Sequence, residues 1–171
     1  MDNRESSAGA VGGAAEPSRK RADVVRAVTL GLLVVVLIQY AAGMVVNLFV
    51  TVPARHPGAK PSNYFSGSAS SVAWAVAHGS AALALHAALG LAMVAAAIAG
   101  AVLTGSLGRG RLTVAGYLGA ASVVGAGFNG ASFLDFNQDV SSLIMALLAA
   151  AAIACYAVIL FNLSRVPCST T

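Results

Sequence analysis

The sequence predicts an all-α membrane protein: a four-transmembrane-helix antiparallel bundle with both termini in the cytoplasm. Two observations predict this fold class. Of the 171 residues, 58% are hydrophobic and only 9% are charged, whereas about 25% of the residues in an ordinary soluble domain are charged. The apolar residues also lie in long runs, and a helix needs about 20 apolar residues to cross a hydrocarbon core of about 30 Å.

Four segments have this length, and we number them spans 1 to 4 in chain order: about 24–50, 72–103, 112–134 and 140–161. Span 2 is long for a single crossing at about 1.5 Å per residue, so it should tilt or protrude from the bilayer. Span 3 is rich in glycine, and span 4 is an almost continuous apolar run. Because spanning backbone must satisfy its own hydrogen bonds and no alternating barrel strands are visible, all four are predicted to be helices.

A single transmembrane domain is predicted over residues 23–165. Residues 1–22 are polar and rich in small residues without periodicity, which is typical of a disordered cytoplasmic tail, and residues 166–171 form a second, short cytoplasmic tail. The connection between spans 1 and 2, residues 51–71, holds three prolines followed by a serine and glycine cluster. Proline disfavours helix, so this segment is predicted to be a loop.

The basic residues predict the orientation of the bundle. Eight of the ten lysines and arginines flank the spans on one side, and only Arg55 and Lys60 lie on the other, in the loop 51–71. By the positive-inside rule both termini are cytoplasmic and this loop is outside. The topology accounts for the net charge of +4. The expected partners are therefore the lipid bilayer and either other membrane subunits or further copies of the chain, with no nucleic acid. The high alanine and glycine content favours the cytoplasmic membrane of a bacterium.

Small residues recur at helical spacing in two spans. In span 2 they recur every four residues and form what we call the alanine stripe: Ser80, Ala84, Ala88, Ala92, Ala96 and Gly100. Span 3 has a shorter stripe of Ser122, Ala126 and Gly130. Small residues let helix backbones approach closely in a membrane, so both stripes are predicted to pack against other helices.

His78 and His86 are ionisable residues predicted to lie within the bilayer, where such groups are costly and are therefore functional candidates. On one straight helix they are separated by about 12 Å of rise and about 80° of rotation, so they belong to different layers. Since spans 1 and 2 run in opposite directions, Gln39 is expected at the depth of His86, and Asn47 is expected near His78.

The layer of His86 is a candidate cofactor site. Heme iron takes one or two axial ligands, commonly His with His or Met, and small residues suit the place where the flat macrocycle meets a helix. His86 has Gly90 one turn away, and Gln39 has Gly43 one turn away on the facing helix. These residues predict a b-type heme, used in electron transfer or heme handling. In the alternative interpretation His86 only forms a hydrogen bond within the bundle, to Gln39 or Ser122, and the protein is a cofactor-free structural or assembly subunit of a membrane complex.

A second candidate is a metal site at the outer end, since histidine with carboxylate suits zinc or copper. His56, His78, Asp135 and Asp139 are expected near that end, and His86 is a further candidate metal ligand. The alternative is that His56 is an exposed loop residue and that the two aspartates only cap or solvate a turn. A proton or quinone pathway would need an acidic partner at the depth of His86, and no span provides one there. The chain carries no recognised catalytic motif, so a stand-alone enzyme is not expected.

Two segments carry a resemblance to a known family: QYAAGMVVNL at 39–48, followed by a proline-bearing loop, and HAALGLAMV at 86–94. The arrangement resembles the first helix pair of small four-helix membrane proteins that bind b-type heme, and it is similar in outline to one half of heme A synthase. The resemblance covers roughly residues 30–100. It implies His86 as a heme ligand, with Gln39 and Gly43 as its neighbours.

The chain also departs from this pattern. Halves of heme A synthase carry further histidines on another helix, and some have a loop cysteine pair, whereas spans 3 and 4 here contain no histidine. A second heme ligand would therefore have to be Met44, Met145, His78 or His56, or come from another subunit.

The predicted orientation can be tested by labelling introduced cysteines. In intact cells a cysteine placed within 57–70 should react with a membrane-impermeant thiol reagent, because this loop is predicted to be outside. A cysteine placed within 106–110 should react only after the membrane is permeabilised. The reverse pattern of labelling would place the termini on the other side of the membrane.

Overall fold

The structure, a computed structural model, describes residues 8–164 and the side chains of residues 16 and 19–164. The described residues form five helices and no strand: α1 (Ala8–Phe49), α2 (Tyr64–His78), α3 (Ala81–Gly105), α4 (Gly110–Phe136) and α5 (Asp139–Ser164). Four of them, α1 from Arg19 onward, α3, α4 and α5, are long and apolar enough to cross a membrane. The all-helical prediction is therefore confirmed, and the fold is compatible with a multi-pass membrane protein.

The second predicted span, 72–103, is not one helix. It is divided at Gly79 and Ser80 into α2 and α3. Gly79 has extended backbone, with φ −66° and ψ 167°, and a side chain there would collide with the carbonyl oxygen of Ala75. Ser80 then caps α3, because its hydroxyl oxygen accepts a hydrogen bond from the Leu83 N–H at 3.4 Å. His78 and His86 thus lie on different helices, and the two-turn spacing predicted for them does not apply.

Helix α2 begins inside the segment that was predicted to be a loop. Its N-cap is Asn63, whose side-chain oxygen accepts a hydrogen bond from the Ser66 N–H at 3.2 Å. Beyond Pro61 the segment contains no further proline before the break at Gly79. Once capped, the serines and alanines of 66–75 can therefore form a regular helix.

Helix α1 begins at Ala8, so residues 8–22, which were predicted to be a disordered tail, are helical. This segment is rich in alanine, and Glu16 and Lys20, four residues apart, form an ion pair of 2.6 Å. Because the apolar part of α1 already provides a nucleus, the alanines of this segment extend the helix at low cost. Residues 1–7 and the predicted tail 166–171 lie outside the described residues.

Helices α1, α3, α4 and α5 form the main bundle, and α4 and α5 share its most extensive contact. Tyr156 of α5 lies in the core of this bundle with only 2% of its surface exposed. A Cβ atom on Gly119 of α4 would lie 2.9 Å from the ring of Tyr156. The glycine therefore allows the aromatic ring to lie directly against the backbone of α4.

The alanine stripe is not where the bundle packs. Ala88, Ala92 and Ala96 are exposed, and of the stripe only Gly100 is buried, beneath Leu32 of α1. Helix α3 instead buries the face that carries Leu83, Met93, Ala97, Ala101 and Thr104. This face carries larger apolar side chains, and Gly100 beside it lets α1 and α3 approach closely. The shorter stripe of Ser122, Ala126 and Gly130 is half-buried.

One end of the bundle is covered by residues 50–63 together with α2, and we call it the capped end. There α2 packs on α3 and α4, and a second apolar cluster forms from Val46, Val52, Ala75, Leu83 and Leu134. The backbone N–H of Lys60 donates a hydrogen bond to the carbonyl oxygen of Asp135 at 2.9 Å. Asn137 ends α4 in the left-handed conformation with φ 52°, a role that asparagine tolerates well.

Candidate functional site

Four of the residues predicted to bind a cofactor lie together between α1 and α3. Gln39 and Gly43 belong to α1, and His86 and Gly90 belong to α3. The side-chain N–H of Gln39 donates a hydrogen bond of 2.8 Å to the backbone carbonyl oxygen of His86. The sequence prediction that Gln39 and His86 are neighbours is confirmed, and we call these four residues the polar clasp.

Each glycine of the polar clasp makes room for a side chain of the opposite helix. A Cβ atom on Gly43 would lie 3.1 Å from Cε1 of His86, and a Cβ atom on Gly90 would lie 3.1 Å from Nε2 of Gln39. Gly90 follows His86 by one helical turn, so any side chain there would shield the carbonyl oxygen that Gln39 reaches. The two glycines and the two polar side chains therefore fit as one reciprocal arrangement.

Two buried atoms of the polar clasp have no hydrogen-bond partner among the described residues. They are Oε1 of Gln39 and Nδ1 of His86. Leaving a buried polar atom unsatisfied costs about 1–3 kcal/mol. These two atoms of the polar clasp can therefore each form a further hydrogen bond, which the contact between α1 and α3 does not provide.

The polar clasp does not fit a heme in this arrangement. A macrocycle resting on Gly43 would need the space held by the His86 ring, and one resting on Gly90 would need the space held by the Gln39 amide. Heme would therefore displace both side chains, including the proposed ligand.

The candidate second ligands are not directed at His86 either. Met44 is 44% exposed on α1, and His78 is exposed at the end of α2, beyond the break. Met145 lies against α4, where a Cβ atom on Gly130 would be 3.4 Å from its sulfur. His56 belongs to the capped end, where it binds the carbonyl oxygen of Leu134.

The predicted outer metal site is not assembled within residues 8–164. Among the described residues no group of three or more histidine, cysteine, aspartate or glutamate side chains could hold a metal ion. His56 directs its ring nitrogens at carbonyl oxygens, and His78 and Asp139 are exposed. His86 has no such group around it. None of the three histidines therefore has the neighbours that a zinc or copper site needs.

The capped end contains polar contacts that the sequence did not predict. Asp135 is only 2% exposed, and its Oδ2 accepts a hydrogen bond of 2.6 Å from the Ser68 hydroxyl. Its Oδ1 is buried without a partner in the described part of the chain. On the same side, the Tyr64 hydroxyl is 2.7 Å from the hydroxyl of Ser132. These contacts tie α2 to α4.

Sequence reasoning missed this cluster because it placed residues 64–71 in a loop and Asp135 in a turn. A signal was present, since Gly67, Ser68, Ser71 and Ala75 recur at three- and four-residue spacing and form the buried face of α2. That pattern is typical of a helix face with small polar residues.

Comparisons with known proteins do not add an assignment. No family, no curated protein and no solved structure matches this chain.

The polar clasp can be tested by a pair of substitutions. Gly43→Ala should lower the stability by about 1–3 kcal/mol, because the added methyl group overpacks the His86 ring. In a His86→Ala background the same change should cost nothing, or stabilise by up to about 1 kcal/mol through helix propensity. Thermal unfolding in detergent measures both.

Gly31→Ala is the matched control for that experiment. Gly31 lies on the same helix, and nothing lies within 4 Å of a Cβ atom placed there. Its substitution should not destabilise the protein in either background. An equal cost of Gly43→Ala with and without the His86 ring would contradict the clasp geometry.

Proposed function

We propose that this chain is a cofactor-free structural or assembly subunit of a membrane complex, whose α1 and α3 are fastened together by the polar clasp. One observation carries the proposal: both glycines that suit a macrocycle are instead required by the His86 ring and the Gln39 amide. The hydrogen bond from the Gln39 amide to the carbonyl oxygen of His86 stabilises such a helix pair by about 1 kcal/mol. Its role is then to fix the register of two spans.

Heme binding is the second candidate, and two observations favour it. Nδ1 of His86 and Oε1 of Gln39 are buried without partners among the described residues. In addition, the segments 39–48 and 86–94 resemble b-type heme proteins of the membrane. For heme to bind, the His86 ring would have to leave Gly43 and a second subunit would have to supply any further ligand.

An absorption spectrum separates these two functions. The protein purified in detergent, and then incubated with heme, should show no reduced-minus-oxidised b-type bands, because the clasp holds His86 away from an incoming iron. His86→Ala, as the matched variant, should give the same featureless difference spectrum. Bands that are present in the unaltered chain and absent from His86→Ala would overturn the cofactor-free proposal in favour of heme.

We also propose that the four spans are antiparallel, with both termini cytoplasmic, in the cytoplasmic membrane of a bacterium. The contacts between α1 and α3 support the first part, since Leu32 meets Gly100 and Gly43 meets His86. Residue numbers thus rise along α1 as they fall along α3. The placement of eight of ten basic residues supports the orientation.

The assembly surface that we propose is the exposed part of the alanine stripe. Ala88, Ala92 and Ala96 lie on one side of α3 and face away from the bundle. A row of small residues allows a second helix to approach closely. We propose that a second copy of the chain packs against this surface. In a dimer with two-fold symmetry the same row of small residues lies on both sides of the interface, so both helices can approach closely.

Cysteine cross-linking tests this surface. In a background of Cys155→Ala and Cys168→Ser, Ala92→Cys should form a disulfide-linked dimer in native membranes under mild oxidation. Leu147→Cys is the control, since Leu147 is 62% exposed on α5 and lies outside the stripe. Equal cross-linking at the two positions, or none at position 92, would contradict self-association through α3.

A further inference from the structure

His56 forms two hydrogen bonds that a neutral imidazole cannot make together. Its Nδ1 lies 3.0 Å from the carbonyl oxygen of Pro57, and its Nε2 lies 3.1 Å from the carbonyl oxygen of Leu134. A carbonyl oxygen only accepts hydrogen bonds, so each ring nitrogen must donate. Neutral imidazole carries one N–H, whereas the imidazolium cation carries two. The geometry around His56 therefore matches the protonated ring.

The neighbouring aromatic residue also favours a positive charge on this ring. His56 stacks on Trp74 of α2, with 4.5 Å between ring centroids and an angle of 18° between the planes. A cation over the face of an indole is attracted by the electron density of the ring. His56 thus joins three parts of the capped end: its own loop, α2 through Trp74, and α4 through Leu134.

Other charged and titratable residues reach this end from every element packed there. They are Arg55 and Lys60 in the loop, Tyr64 and His78 on α2, Asp135 on α4 and Asp139 on α5. Within the described residues none of them forms an ion pair with His56. Asp135, the residue after Leu134, contributes the buried carboxylate of the capped end. The imidazolium is therefore held by two carbonyl oxygens and an indole face, without a countercharge in contact.

We propose that His56 is a proton-operated clamp that fastens residues 50–63 and α2 onto the end of α4 and so keeps Asp135 covered. Loss of the proton leaves one nitrogen lone pair facing a carbonyl oxygen at about 3 Å, which is repulsive. The clamp is present when His56 is protonated and is lost when a rise in pH removes that proton. This inference is independent of the function proposed above.

The chain offers a direct optical test, because Trp74 is its single tryptophan. A stacked imidazolium quenches indole emission more strongly than a neutral imidazole does. In the purified full-length protein, emission should rise with one transition as the pH is raised and the His56 ring loses its proton. The transition should persist in His78→Gln, and it should be absent from His56→Gln. Flat emission in the unaltered protein, or a transition that survives in His56→Gln, would overturn the proposal.

A second measurement reports the opening itself. Ser71 is fully buried in α2, whereas its chain neighbour Ser70 is exposed. In the cysteine-free background, Ser71→Cys and Ser70→Cys are each labelled with a thiol reagent. The measured quantity is the rate at position 71 divided by the rate at position 70, because this ratio cancels the pH dependence of thiol reactivity. This ratio should rise about tenfold across the transition, as expected for the loss of a hydrogen bond to a charged group.

His56→Gln is the matched variant for the labelling experiment. Its ratio should be high and independent of pH, because glutamine retains a donor and an acceptor but cannot gain a charge. A ratio that stays low and constant in the unaltered protein would show that the cap does not respond to His56, and it would overturn the proposal.

Discussion

At the close approach of α1 and α3, the polar side chains of each helix fit against a glycine of the other, and this constraint fixes which residues can lie there. Between helices that lie in hydrocarbon, burying apolar side chains provides little driving force, so association relies on packing and hydrogen bonds. Gln39 reaches the carbonyl oxygen of His86 at 2.8 Å because Gly90 leaves that oxygen open. The His86 ring in turn needs Gly43. A Cβ atom on either glycine would lie 3.1 Å from a side chain of the opposite helix, and loss of the Gln39 amide would remove the hydrogen bond.

This interdependence bears on how the four residues are interpreted. Glycine next to histidine in a membrane helix suits a cofactor, and it equally suits a neighbouring side chain that needs the same space. In this chain both glycines make room for a side chain of the opposite helix. A Cβ atom added to either one would lie 3.1 Å from an atom of that side chain. The exposed part of the alanine stripe, Ala88, Ala92 and Ala96, faces away from the bundle.

The capped end has a different origin, the break at Gly79 and Ser80. Because the chain leaves the helix there, α2 is a separate element that packs on α4 as well as on α3. This packing brings the Ser68 hydroxyl to the Asp135 carboxylate and the face of Trp74 to His56. A short interruption in an apolar run thus converts one end of a simple bundle into a covered polar cluster.

The sequence by itself determined the helical class and the four long apolar elements, because run length and composition are local properties of the chain. It also predicted that Gln39 lies beside His86, since depth along two adjacent spans follows from residue counting. Three things were decided only by tertiary structure: the division of the second span, the outward direction of the alanine stripe, and the contacts of His56. Each depends on which face of a helix buries the most apolar surface against its neighbours and leaves the fewest polar groups without a hydrogen bond. That comparison is made between elements distant in the chain, so no local pattern contains its result.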